Sequence, residues 1–158
     1  MRHLHSELPF YFMRVLILLA AALCAACGTE SELDKINTKR IVLPGGQTII
    51  AEMLTHPTDM MRGMMFRESL PDDRGMLFVH GGPGNYPYYT YQVKIPLDIL
   101  WLNRTRTIVE ISPDTPPCKT KASECPRYGG NHEALFVLEL AGGAVAKYNL
   151  KLGQTLSF

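Results

Sequence analysis

The sequence has almost no excess charge of either sign. It contains sixteen lysines and arginines and fifteen aspartates and glutamates, so the formal net charge is +1. A chain that is nearly neutral and has no basic stripe with interleaved aromatics lacks the electrostatic pattern of a nucleic-acid-binding protein. We therefore predict no nucleic-acid partner.

The common catalytic and cofactor-binding motifs are also missing from the sequence. It contains no nucleophile elbow, no phosphate-binding loop and no His-x-x-x-His pair. Ser69, Ser112 and Ser123 lack the context of a catalytic triad. We predict no cofactor, and the sequence gives no positive evidence for catalysis, so whether the protein is an enzyme stays open.

Long apolar runs are confined to the N-terminus. The run from Val15 to Ala26 is unbroken and follows Arg14. As a helix it would be about 18 Å long, against a hydrocarbon core of about 30 Å, so its length is typical of the apolar region of a signal peptide. Met13 and Arg14 begin a more typical signal than the residues before them, so we expect translation to start at Met13.

The end of this run resembles a bacterial lipobox, in which small residues precede a cysteine that becomes lipid-modified. Here Ala25 and Ala26 precede Cys27. We predict a lipoprotein-type signal peptide at 1–26, lipidation of Cys27, a polar tether at 27–38 and one domain at 39–158. The protein would be exported and lipid-anchored in the bacterial cell envelope, facing the periplasm or the exterior, with the membrane as a partner. The alternative is an ordinary cleaved signal peptide.

The folded part is predicted to be mainly β. Thirteen glycines and eleven prolines are scattered along the chain and indicate many turns between short apolar runs. The pattern predicts a small β-sandwich or partial barrel of about eight strands with one or two short helices. The predicted elements include a hairpin of Ile41–Leu43 with Thr48–Ala51, a helix from Pro57 to about Phe66, a strand at Tyr88–Val93, and a closing strand at Gln154–Phe158.

Two of the four cysteines, Cys118 and Cys125, lie in one long polar loop. An exported chain folds where disulfides persist, so we predict that they pair. On the chain-entropy model, closing a loop of roughly eight residues stabilises the fold by about 2.5 kcal/mol. A redox or zinc site is less favoured because the spacing is not Cys-x-x-Cys.

Four ordered motifs carry a family resemblance. They are Arg62–Arg67, Gly75–Phe78, Ile95–Ile99 and Val137–Gly142. From about Ile41 to the C-terminus the chain resembles the family called domain of unknown function 192, in a form similar to its exported members. The resemblance implies a small β-rich domain with a sandwich-like core and no established activity. The chain departs from the family at Tyr88–Val93, where an aromatic-Trp-Met-Lys-Asn-Thr segment is usual, so a pocket lined by that segment would be altered here.

Asp98 stands out because its strand is apolar on both faces, which predicts burial on both faces. A buried carboxylate without a partner costs several kcal/mol or stays protonated, so Asp98 should have one. Arg62 is the first candidate, through a planar guanidinium fork, with Arg67 and Arg74 as substitutes. Such a pair would fix the helix against the sheet; the alternative is that Asp98 is a ligand-binding or catalytic carboxylate. Glu110 and Glu139 lie in apolar strands and are expected at the edge of the core.

The predicted ligand site lies between the helix that bears Arg62 and the strand that bears Asp98. Its residues would be Arg62, Asp98, His80 and Tyr89. The four tyrosines Tyr86, Tyr88, Tyr89 and Tyr91 would stack against a sugar or peptide, or pack across strands. The function this indicates is a non-enzymatic envelope module that binds a small ligand or another envelope protein. A hydrolase would need a deep pocket in which Asp98, Arg62 and His80 converge.

A copper-binding protein is the other alternative. The candidate ligands are His56, Met60, Met61, Met64 and Met65. Thioethers are soft ligands that suit Cu(I). The competing interpretation is that adaptable methionines fill the core under the helix.

Overall fold

A single open sheet of six strands forms the centre of the fold. The computed structural model describes residues 37–158; the predicted signal peptide, the lipidation site Cys27 and most of the tether lie outside them. The strands are β1 (Thr38–Val42), β2 (Thr48–Leu54), β3 (Arg74–Gly84), β4 (Leu97–Leu102), β5 (Ile108–Thr115) and β6 (Ala134–Ala141). Their spatial order is β1-β2-β3-β6-β4-β5, and only β2 and β3 pair in parallel. The prediction of a mainly-β fold is confirmed, and the sheet does not close into a barrel.

The described residues contain two short α-helices, α1 (Pro57–Arg62) and α2 (Ala144–Lys147). Helix α1 begins at Pro57 as predicted but ends at Arg62, four residues before the predicted Phe66. Gly63 ends it with a φ of 41°, and its N–H donates to the carbonyl of Asp59. Within residues 37–158, the helices are too short to span a bilayer.

Two predicted strands do not form, which is why the sheet has six strands and not about eight. Tyr88–Val93 makes only isolated bridges, because Gln92 has a φ of 55° that interrupts the extended backbone. Gln154–Phe158 also makes only isolated bridges, one to Thr107 and one to Val42. This segment touches two separate parts of the sheet and so pairs fully with neither. The predicted hairpin is confirmed as β1 and β2.

Both faces of the sheet are covered, and β4 is buried along its whole length, as its apolar pattern predicted. Successive residues of a strand point to opposite faces. Ile99 and Trp101 therefore belong to one core cluster, and Leu100 and Leu102 to the other. By the same alternation Asp98 faces the side of Leu100, whereas Glu139 on β6 faces the side of its neighbour Val137.

Candidate functional site

A cavity of about 260 Å³ lies on the Trp101 face of the sheet. We call it the Glu139 cavity, after the acidic residue in its lining. Its size is close to the lower end of the range for small-molecule sites. The lining consists of Pro57, Met60, Met61, Arg62, Gly63, Met64, Met65, Phe78, His80, Tyr86, Pro87, Tyr88, Tyr89, Tyr91, Val93 and Glu139.

Helix α1 and the turn after it form one wall. Gly63 makes this turn possible because its φ is positive and an added Cβ would lie 3.0 Å from Cζ of Phe78. The close approach brings Met64 into the core, where it is 2% exposed, while Met61 stays 71% exposed. All four methionines of the predicted cluster line the cavity. The thioethers give this wall a soft, apolar surface.

A set of stacked and edge-packed rings forms the facing wall. The rings of His80 and Tyr86 are parallel with centroids 3.5 Å apart, and His80 Nε2 lies 3.1 Å from the hydroxyl of Tyr88. Tyr88 packs edge-on against Phe78 and Trp101. Burial lowers the pKa of His80 and raises the pKa of Tyr88, so both side chains are neutral at pH 7. The wall is therefore rigid and uncharged.

The outer part of the same wall is held by the cysteine loop. Tyr91 makes a bridge to Cys118, and the Cys118 N–H donates to the carbonyl of Thr90 at 3.1 Å. Cys118 and Cys125 lie at disulfide distance, with Cα atoms 5.7 Å apart, as the pairing prediction requires. Tyr89 stacks near Tyr91, with centroids 6.4 Å apart. The loop thus contacts the segment that carries the half-buried Tyr89 and Tyr91 of the cavity lining.

Glu139 is the acidic residue of the cavity and is almost completely buried, with 5% of its surface exposed. Its Oε2 has no hydrogen-bond partner anywhere in residues 37–158. Burial raises its pKa to about 8, against an opposing effect of the nearby Arg67 charge. The carboxyl is therefore mainly protonated at neutral pH and can donate a hydrogen bond. Sequence reasoning noted Glu139 only as a core-edge carboxylate; the available signal was one acid inside the apolar run of β6.

Arg62, the last residue of α1, and Arg67, in the turn after it, have different environments. Arg67 forms a two-pronged ion pair with Glu52, at 2.5 and 2.6 Å. Arg62 is exposed, lines the cavity and has no hydrogen bond or ion pair to any residue in the described part of the chain. Arg62 is thus an unpaired cation at the mouth of a cavity that holds a buried carboxyl group.

The predicted pairing of Asp98 with Arg62 is wrong. Asp98 is fully buried and accepts backbone N–H groups of Asp114 at 2.6 Å, Gly143 at 3.2 Å and Val145 at 2.5 Å. It is not part of the cavity lining, because the strand alternation turns it to the opposite face of the sheet. The first N–H groups of a helix lack partners within the helix. The start of α2, with the backbone of Asp114 on β5, therefore supplies the donors that were expected from an arginine.

The substitute partners of Asp98 also pair elsewhere. Arg67 binds Glu52, and Arg74 lies 3.9 Å from Asp73. The structure therefore brings Arg62, His80 and Tyr89 together at the cavity, without Asp98. The arrangement that would have favoured a hydrolase is not formed. Glu110 accepts from the backbone N–H and the side-chain amide of Asn131, at the edge of the sheet.

The predicted copper ligands are brought together only in part. The four methionines and His80 line one cavity, but His56 precedes α1, is exposed and does not line it. Within residues 37–158, no cluster of three or more His, Cys, Asp or Glu side chains is placed to hold a metal ion. The possible copper ligands in the cavity lining are therefore the soft thioethers of the four methionines and the imidazole of His80.

The chain belongs to the family described as "Uncharacterized ACR", domain of unknown function 192, whose model matches residues 40–158. This confirms the resemblance found in the four motifs. Among solved structures it is similar to a candidate transcription regulator from Sinorhizobium meliloti 1021, with 26% identity, 75% of this chain and 89% of that chain covered, and a TM-score of 0.65. No curated protein shows a significant match.

A second similar structure is a protein of unknown function from Novosphingobium aromaticivorans DSM 12444. It is 21% identical, covers 83% of this chain and 99% of its own, and has a TM-score of 0.67. At this identity the similarity shows the fold alone.

Proposed function

We propose that this domain is a non-enzymatic binding module that takes one small, partly apolar ligand into the Glu139 cavity. The observation that carries the proposal is the buried Oε2 of Glu139, which has no partner among the described residues and belongs to the cavity lining. A buried polar atom without a partner costs about 1–3 kcal/mol. A ligand that hydrogen-bonds to Glu139 would remove this cost, which favours the bound state.

The walls of the cavity support the same function. Small-molecule sites are mostly apolar and largely pre-formed, with a few polar groups that fix the ligand's orientation. Here the methionines and aromatic rings supply the apolar surface, and Glu139 and Arg62 supply the polar groups. The ring contacts of Tyr88 already fix one wall, so little ordering would accompany binding.

Native mass spectrometry of the full chain, purified without added metal, tests the proposal. We expect a retained organic molecule that is lost in Glu139→Leu, which keeps the side-chain size but removes the carboxyl. Glu110→Gln is the matched control, because Glu110 is also a strand carboxylate but does not line the cavity. A bare mass, together with no effect of a fragment library on the amide NMR signals of the cavity, would contradict the proposal and favour a protein partner.

The proposed location of this module is the bacterial cell envelope, with a lipid anchor at Cys27. The support is the apolar run before Cys27 in the sequence and the cysteine pair at disulfide distance, since disulfides persist outside the cytosol. An envelope location would also suit a soluble metabolite or an envelope protein as partner. Growth of the producing cells with a labelled fatty acid tests the anchor: label should enter the chain and be lost in Cys27→Ala.

Copper binding is the second candidate, because four thioethers and the His80 imidazole line one cavity. These donors suit Cu(I) better than harder cations. Titration with Cu(I) in the presence of a competing chelator tests it, and Met64→Leu should weaken binding with little change in packing. Absence of binding tighter than micromolar would end this candidate.

A further inference from the structure

Resting on the proposed function, we infer that the ligand is a small organic anion whose apolar body fills the Glu139 cavity. An uncharged oxygen of the ligand would accept a hydrogen bond from the Glu139 carboxyl, and its negative charge would lie at Arg62. Three observations of the cavity carry this inference.

The first observation is the balance of formal charge around the cavity. Glu139, when protonated, and the neutral His80 add no charge, so Arg62 is the one full charge in the lining within residues 37–158. Arg67 is compensated by Glu52, and the Arg127 guanidinium lies 4.9 Å above the ring of Tyr89, adding positive potential at the same wall. An anion is attracted to this site, and a cation is repelled from it.

The second observation is the set of groups that face Glu139. Its strand neighbours are Met76 on β3 and Ile99 on β4, which are apolar. The charged or titratable groups around it come from three parts of the fold: Arg62 at the end of α1 and Arg67 in the turn after it, His80 on β3, and the facing tyrosines Tyr86, Tyr88, Tyr89 and Tyr91. None of these is an acceptor bonded to Oε2. A protonated carboxyl therefore has a donor to offer, and a carbonyl or hydroxyl oxygen is its natural acceptor.

The third observation is the position of the two polar groups. Glu139 is 5% exposed, whereas Arg62 is exposed at the mouth. Transferring a ligand charge into the buried end would cost several kcal/mol without a paired cation, so the charge belongs at the exposed end. A cavity of about 150 Å³ holds benzene. The Glu139 cavity of about 260 Å³ can therefore hold a ring with a short polar chain.

A matched series of probes tests the inference on the full chain. The probes are N-benzoylglycine, which is an anion, its neutral amide N-benzoylglycinamide, and the cation N-(2-aminoethyl)benzamide. They share the ring and the benzamide carbonyl and differ in the terminal group, which is a carboxylate, a carboxamide or an ammonium-bearing carbon. Dissociation constants come from shifts of the backbone amide NMR signals. We expect the anion to bind about tenfold tighter than the other two, from one charge-assisted contact.

Two variants separate the roles of the polar residues. In Arg62→Gln the preference for the anion over the neutral amide should fall below about threefold. Arg104→Gln is the matched control, because Arg104 is an exposed arginine outside the cavity lining. For the neutral amide, affinity in the native protein should fall as the pH rises above about 8, as Glu139 loses the proton it donates. Glu139→Gln donates at every pH, so its affinity should stay constant.

Each outcome of this experiment decides a separate point. Tighter binding of the cation, or equal binding of all three probes at the cavity, would overturn the anion inference and leave small-ligand binding intact. No binding of any probe, with an organic molecule still retained in native mass spectra, would overturn this ligand class alone. No binding together with a bare mass would overturn the proposed function as well.

Discussion

Two acidic residues are buried in neighbouring central strands of the sheet, and their environments differ. Asp98 on β4 pairs in register with Leu140, and Glu139 on β6 pairs with Ile99, so the two residues are close in the ladder and face opposite sides. Asp98 receives three backbone N–H groups, whereas Glu139 Oε2 has no partner in residues 37–158. The comparison separates a carboxylate that holds the fold from a carboxyl group that is available to a ligand.

The difference arises from what covers each face. Over Asp98, the first turn of α2 and the backbone of Asp114 bring N–H groups within hydrogen-bonding distance. Over Glu139, the covering layer presents thioethers, which do not donate, and aromatic side chains whose polar atoms contact other groups. The Tyr86 hydroxyl donates to the carbonyl of Gly82, and His80 Nε2 lies 3.1 Å from the Tyr88 hydroxyl. Backbone N–H groups pair with Asp98 and make it part of the fold. No residue in the described part of the chain donates to Oε2 of Glu139, so this oxygen keeps its capacity for a hydrogen bond.

The largest expected loss of stability comes from Asp98→Asn, which removes one of the oxygens that accept backbone N–H groups. The amide nitrogen would replace an accepting oxygen and would face a backbone N–H. Because a hydrogen bond to a charged group contributes about 1.5–3 kcal/mol, we expect a loss of about 3 kcal/mol in the free energy of unfolding. This corresponds to a fall of roughly 10 °C in Tm.

Asp114→Asn is the matched control for this variant. Asp114 is exposed and has a φ of 50°, which asparagine tolerates, and its backbone N–H remains. Its Tm should stay close to that of the native protein. An unchanged Tm in Asp98→Asn, measured by circular dichroism, would show that the three N–H contacts do not hold the fold.

An effect of opposite sign, which depends on pH, is expected from Glu139→Gln. The native state keeps the Glu139 proton up to a pH of about 8, whereas the unfolded chain releases it near the ordinary value of about 4.5. Between these values the native state binds more protons, so stability falls as the pH rises, and above about 8 this contribution is constant. The glutamine side chain of the variant does not titrate, so the variant should gain stability relative to the native protein across this window.

Urea unfolding at several pH values from 4 to 9 measures this effect. The difference in free energy between the variant and the native protein should grow with pH and level off near pH 8. A difference that is independent of pH would mean that Glu139 titrates normally.

The smallest expected change in stability comes from Arg67→Gln, which tests how a nearby positive charge affects Glu139. The ion pair with Glu52 is more than one third exposed, so its loss should cost no more than about 1 kcal/mol. Because the Arg67 charge lowers the pKa of Glu139, its removal should raise the pH at which binding of the neutral amide probe declines. Lys147→Gln removes another exposed ion pair, on the α2 side, and should leave this midpoint unchanged.

Much of the fold was predictable from local signals in the sequence. Alternating and doubly apolar runs predicted the central strands, and the Gly-Gly turn predicted the hairpin of β1 and β2. Tyr88–Val93 was predicted to be a strand from its aromatic and β-branched content, but Gln92 takes a left-handed conformation there. Aromatic residues are also suited to a loop that covers a cavity, so amino-acid composition did not distinguish a strand from a loop at this segment.

The site was predictable only in part, because its membership depends on which face of the sheet each side chain points to. Arg62, His80 and Tyr89 were predicted and do line one cavity. Asp98 was assigned to the same site, but the sequence does not say which face of the sheet α1 covers. Backbone N–H groups leave no trace in residue types, so the true partners of Asp98 were not visible before the structure.

The position of β6 in the sheet has a consequence for the order of folding. β6 is the last strand in the chain, yet it lies between β3 and β4 and joins the two halves of the sheet. During synthesis the earlier strands can form no more than partial ladders until residues 134–141 have left the ribosome. The sheet is therefore completed only late in synthesis or after it, and until then the edges of β3 and β4 that pair with β6 in the finished sheet stay open.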